Sequence, residues 1–291
     1  MDTYQADRRV RDIDQLHTSV VHLFAGPYVT VGAQRHDVPE GSKQLLAFVA
    51  LRRRRVERRQ AAGALWPVGD EERAAGNLRS ALWRMRRAGI DVLVADKWSL
   101  ALRAHVQVDL HVVDEWATRL IEGSVFVHDL TISPCVADAL DLLPGWYDDW
   151  ALMERERIRQ RLLHALEALS ARLASLKRFA EAVDAAMLAV SADPLRESAQ
   201  RTLIKAHLAE GNLAEARRTY LAYRDLIRAE LGVDPSVEIL TVLGLAADRL
   251  TARQARVLDG ARSSGAMRPA RNSGSIISGR APSPVLNGAH N

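Results

Sequence analysis

Asn77-Leu78-Arg79-Ser80-Ala81-Leu82-Trp83-Arg84-Met85-Arg86-Arg87 is the stretch on which the reading of this chain turns. Leu78, Leu82 and Met85 recur at i, i+4 and i+7, the spacing that lines apolar side chains along one stripe of an α-helix. Upstream, Asp70, Glu71 and Glu72 place acids where the helix dipole favours them, and Gly89 marks the other end. Off the stripe the helix carries Asn77, Arg79, Ser80, Trp83, Arg84 and Arg87. Arginine can donate two hydrogen bonds to guanine O6 and N7, asparagine can pair with adenine, and tryptophan offers a flat face to a thymine methyl or a sugar. The competing reading is a solvated face, because arginine is also a good helix former. The neighbouring elements decide between the two.

Before this helix, Val20 to Val38 reads as short strands, with Val29 and Val31 alternating around Thr30 and breaks at Gly26-Pro27 and Gly32. A first helix is predicted over Ser42 to Leu51, with Leu45, Leu46, Val49 and Ala50 on one face and Ser42 as its N-cap. A second, carrying Ala61, Ala62 and Leu65, stops at Trp66-Pro67. After the third helix, Val92 to Val94 and Leu100 to Leu102 flank a turn at Asp96-Lys97, which reads as a β-hairpin. Strands, three helices and a closing hairpin are the order of a winged helix-turn-helix, where one helix sets the next into the major groove. Arg58 and Arg59 near the start of the second helix, and Lys97 and Arg103 on the hairpin, are then placed for phosphates. Arg52 to Arg55 form the densest basic cluster and are assigned mainly to long-range steering.

The charge is distributed in the same sense. The whole chain carries a formal +4, but residues 43–105 carry +8 and residues 106–260 carry −6. A basic segment beside an acidic one indicates that one part of the chain meets a polyanion and the other does something else.

From Asp109 onward the pattern is helical, with joints at 123–134 and at Pro144-Gly145. A long helix is predicted from Asp149 to Leu176, and further breaks fall at 192–194, 211–212 and 232–235. Phe179-Ala180-Glu181-Ala182 returns as Leu213-Ala214-Glu215-Ala216, the period of tetratricopeptide helix pairs. In that offset Ala186 matches Tyr220 and Ala189 matches Tyr223; both tyrosines are read as packing aromatics ahead of ligand-lining ones. The tail from about Ser263 is rich in Ser, Gly, Pro and Arg without acids, a composition that cannot bury enough apolar surface to order itself.

The resemblance of two motifs is more specific. Ala64-Leu65-Trp66-Pro67 with the Asn77–Arg87 helix resembles the winged helix of the antibiotic-regulatory-protein (SARP-type) transcriptional activators. Leu142-Leu143-Pro144-Gly145-Trp146-Tyr147-Asp148-Asp149-Trp150, followed by Glu154-Arg155-Glu156-Arg157, is similar to the start of the bacterial transcriptional activator domain that follows it in that family. Gly211-Asn212 and the run from Glu230 to Ser236 are similar to that domain's later helices. The match spans roughly residues 20–250 and departs from the family at the very basic Arg52–Arg55 connection and at Gly63, which weakens its helix by about 1 kcal/mol relative to alanine. The resemblance implies an activator of a gene cluster, commonly of secondary metabolism, that binds direct promoter repeats and contacts RNA polymerase.

The expected fold is mainly α with a small β component. The expected domains are a flexible 1–19, a winged helix-turn-helix over 20–108, a tetratricopeptide-like activator domain over 109–258 and a disordered 259–291. The expected partners are double-stranded DNA, RNA polymerase and a second copy on DNA, without membrane, in the cytoplasm. The alternative is a protein-interaction scaffold that binds DNA only weakly. No cofactor or metal is expected: there is no GxxxxGK[ST] or HExxH run, and Cys135 is a lone cysteine. An enzyme is not expected, since Asp148-Asp149 reads as acids favouring a helix N-terminus.

Overall fold

The computed structural model describes residues 18–24 and 26–244; the expected flexible N-terminus and disordered tail lie outside them except for Thr18 and Ser19. The described residues open with β1 (Ser19–His22), β2 (Tyr28–Val31) and β3 (Gln34–Asp37), then α1 (Glu40–Ala50), β4 (Val56–Glu57), α2 (Arg58–Leu65) and α3 (Glu71–Arg87). The strands β5 (Leu93–Ala95), β6 (Ser99–Leu102) and β7 (Val106–Val108) close this half. Two small sheets result. One has the order β3-β2-β1-β7, with β7 parallel to β1, and the other the order β4-β6-β5. Val21, Val29 and Val108 meet in register on the core side of the first, which is why its valines alternate with more exposed residues.

α1 lies at the centre of this half, with Leu45 through Ala50 all buried. Ser42 is not its N-cap. The helix begins at Glu40 after Pro39, and Ser42, one turn inside and fully buried, donates its hydroxyl to Ala81 O of α3 at 2.9 Å. The local pattern could not reveal this, because the partner that satisfies the hydroxyl belongs to a different helix. The α3 cap is local and behaves as expected: the Asp70 carboxylate accepts from Arg73 N at 2.8 Å.

The helical half begins with α4 (Asp109–Glu122), whose first residue ties it to the sheet. The Asp109 carboxylate accepts from Leu23 N at 2.8 Å and from Phe24 N at 3.4 Å. A 3-10 turn (Val127–Leu130) and α5 (Pro134–Ala139) lead to the long α6 (Asp149–Ser175), α7 (Phe179–Ala192), α8 (Glu197–Glu210) and α9 (Leu213–Leu231). The two copies of the repeated motif each open a helix, α7 and α9, and Ala182 and Ala216 occupy equivalent fully buried positions. The matched pair Ala189 and Tyr223 is likewise buried on both sides. Tyr223 belongs to a core of its own with Ile204, Ala216, Ile227 and Ile239, a packing aromatic as expected.

A single hydrophobic core runs from Val21 through α1, α3, α4 and α6 to α8. At the junction Phe48 of α1 meets Trp150 of α6 edge-on, with ring centroids 5.3 Å apart, and Gln44 donates to the Asp148 carboxylate. No helix among the described residues is long and apolar enough to cross a membrane.

Candidate nucleic-acid interface

The face of α3 opposite Ala74, Leu78, Ala81, Leu82 and Met85 points outward. Arg79, Ser80, Trp83, Arg86 and Arg87 are exposed on it, and Asn77 is half-buried at its edge. Trp83 is 57% exposed, and the Arg87 guanidinium lies 5.1 Å from its ring centroid. That contact holds an arginine fork against an aromatic plate on the outer surface.

Arg84 takes a different position. Its Nη2 donates to Gly41 O at 2.9 Å, and its Nε is buried without a hydrogen-bond partner. A Cβ at position 41 would stand 2.9 Å from Arg84 Nη2, so the glycine admits the guanidinium to the end of α1. Ser42 and Arg84 thus bind α3 to α1 from two sides.

The phosphate candidates divide by location. Arg58, Arg59, Arg79 and Lys97 all line one cleft between α2, α3 and the β5–β6 turn. Arg58 donates through Nη1 to Asp96 O at 3.1 Å, and Arg59 pairs with Glu71 at 2.6 Å, a hydrogen bond that raises its pKa further. Arg103 lies elsewhere, at the base of the hairpin, with Nη2 on both oxygens of Asp91 at 2.8 and 2.7 Å. The cluster Arg52–Arg55 is largely engaged in internal contacts. Arg52 covers the Phe48 ring at 3.5 Å, Arg53 bridges to Glu115 at 2.7 Å, Arg55 bridges to Asp96 at 2.8 Å, and Arg54 is exposed.

The turn that ends the hairpin is built on Asp96. Its carboxylate accepts from Trp98 N and Ser99 N, both at 2.7 Å, and from Ser99 Oγ at 2.8 Å. Led by the Trp98 amide, these donors lower its pKa to about 2. The turn therefore presents Lys97 and Trp98 in a fixed pose, with the Lys97 ammonium 4.8 Å from the ring centroid of a tryptophan that is 73% exposed. Sequence reading passed over Trp98. Its signal was an indole directly after a turn dipeptide, where no apolar period asks for one.

Residues 135–243 match the family model of the bacterial transcriptional activator domain. The regulatory protein AfsR of Streptomyces griseus is 27% identical over 186 residues, which cover 60% of this chain and 19% of that protein; the chain spans about a fifth of this relative's length. The solved structure of Mycobacterium tuberculosis EmbR in complex with a low-affinity phosphopeptide shares the fold with a TM-score of 0.60 at 18% identity, over 81% of this chain and 65% of that one. By the content and order of its domains, the chain is similar to the SARP-type transcriptional regulators, with a winged-helix region ahead of the matched bacterial transcriptional activator domain.

Proposed function

We propose that this chain binds promoter DNA sequence-specifically and activates transcription, with α3 entering the major groove. The observation that carries the reading is the outward face of α3, where Arg79, Ser80, Trp83 and Arg87 stand on a helix clamped from behind. Arg79, Ser80, Asn77 and Arg84 are the proposed base readers, and Trp83 packs against the duplex. Arg58, Arg59, Arg87, Lys97 and Arg103 are the proposed phosphate contacts. Arg59 and Arg103 would exchange carboxylate partners for phosphates, and Arg84 would have to leave Gly41 O to reach a base. Surface ion pairs contribute little, so the exchange at Arg59 is easy. In this reading residues 20–108 bind DNA. Residues 109–258 serve RNA polymerase contact and self-association on direct repeats in the cytoplasm, at a gene cluster of secondary-metabolism type.

Genome-wide mapping of bound sites would supply the operator, and fluorescence anisotropy on that operator would test the residues. Arg79→Ala is expected to weaken specific binding by about 1–3 kcal/mol and relax sequence choice, whereas Lys97→Ala should weaken all sequences alike and flatten the salt dependence. Arg84→Ala is expected to lower the melting temperature as well, because it also loses the bond to Gly41. Wild-type affinity that is weak and insensitive to salt would instead favour a protein-interaction scaffold.

A further inference from the structure

The cleft between α2, α3 and the hairpin turn encloses about 680 Å³, inside the range of roughly 300–1,000 Å³ typical of small-molecule sites. Its floor is apolar, made by Ala62, Ala74 and Leu78, and Trp98 stands at its edge. Its polar lining is mostly cationic: Arg58, Arg59, Arg79 and Lys97 against Glu57 and Glu71. Glu71 is already taken up by Arg59, and Arg58 by Asp96 O, which leaves Lys97 and Arg79 as the cations best placed for an incoming anion. The Asp96 turn fixes the backbone at Trp98 and Ser99 before anything binds, which reduces the ordering that binding requires.

A phosphodiester strand would use the cations but has no large planar apolar group on its backbone to lay on the alanine and leucine floor. A planar aromatic anion would use both. We infer that this cleft is a binding site for an aromatic acid, with its ring system between Trp98 and the Ala62–Leu78 floor. The carboxylate or sulfonate lies between Lys97 and Arg79. Because those cations belong to the proposed DNA face, the acid and the duplex would exclude one another, a consequence that rests on the DNA-binding reading, while the site itself does not.

The probe is anilinonaphthalene sulfonate, with neutral phenylnaphthylamine as its uncharged counterpart. Fluorescence titration of the full chain should give saturable sulfonate binding, with the neutral probe weaker by about tenfold or more. Trp98→Ala removes the stacking face, and Ala75→Phe, on the cleft wall, fills the space. Each should reduce sulfonate affinity by about tenfold, with circular dichroism and melting unchanged. Equal binding of the two probes, or sulfonate binding that both variants leave intact, would overturn the site. Promoter duplex should displace the sulfonate. If it does not, while the two variants still weaken binding about tenfold, the aromatic-acid site stands and the placement of DNA on this face fails.

Discussion

Asp129 shows how one buried carboxylate organises a joint. It is almost wholly buried, and Arg119 grips it through Nη2 at 2.6 Å and Nε at 2.9 Å while Phe126 N donates at 3.0 Å. Trp116 Nε1 adds a bond to its carbonyl at 2.9 Å. The Arg119 guanidinium is the chief reason its carboxyl lies below the usual range. Asp129→Asn is expected to lower unfolding free energy by about 2 kcal/mol in urea titrations at neutral pH. A depressed carboxyl stabilises the fold above its unfolded pKa and stops doing so as pH falls through the folded value, so the gap between variant and wild type should close in acid. At this scale, what could be read from sequence was what is local. Asp70 caps a helix three residues away, and the spacing announces it. Ser42 looked like a cap, and the bond of Arg84 to Gly41 went unseen, because Ala81 O and Gly41 O come near only once α1 and α3 cross.

Among elements, the hairpin turn carries its own response to acid. Asp96 gains its partners on folding and titrates at about 2 rather than near the usual 3.8, so its contribution persists above the higher value and fades between the two as pH falls. The Trp98 and Ser99 amide resonances should hold steady from neutral pH to about 4 and move below it, and Asp96→Ala should lose amide protection at both positions at any pH. The paired motif of α7 and α9 offers a packing test. Ala182 and Ala216 are fully buried, so Ala182→Leu or Ala216→Leu should destabilise by about 1–3 kcal/mol in thermal melts. The helices were legible because their apolar periods and their Gly and Pro breaks lie along the chain itself. The strand β3 was harder, since Gln34–Asp37 carries no apolar alternation and is held by its ladder to β2.

For the whole molecule, the N-terminal sheet-and-helix half and the helical half share one core among the described residues, and Phe48 meets Trp150 where the two join. The two halves should therefore melt in a single transition by both circular dichroism and tryptophan fluorescence. Phe48→Ala should cost about 3–5 kcal/mol and split that transition in two. Sequence reading placed a boundary near residue 108 because charge and periodicity change there, and neither property reports that a phenylalanine of one half will meet a tryptophan of the other. The same limit hid the parallel pairing of β1 with β7, in which Ser19 faces Val106 and Val21 faces Val108. That pairing has a consequence for synthesis. β1 leaves the ribosome long before its parallel neighbour β7, which lies among the last residues of its half, so the nascent chain must carry an unfinished sheet edge until β7 has emerged. A translational pause before Val106 would therefore prolong the interval in which that edge can pair with another nascent chain.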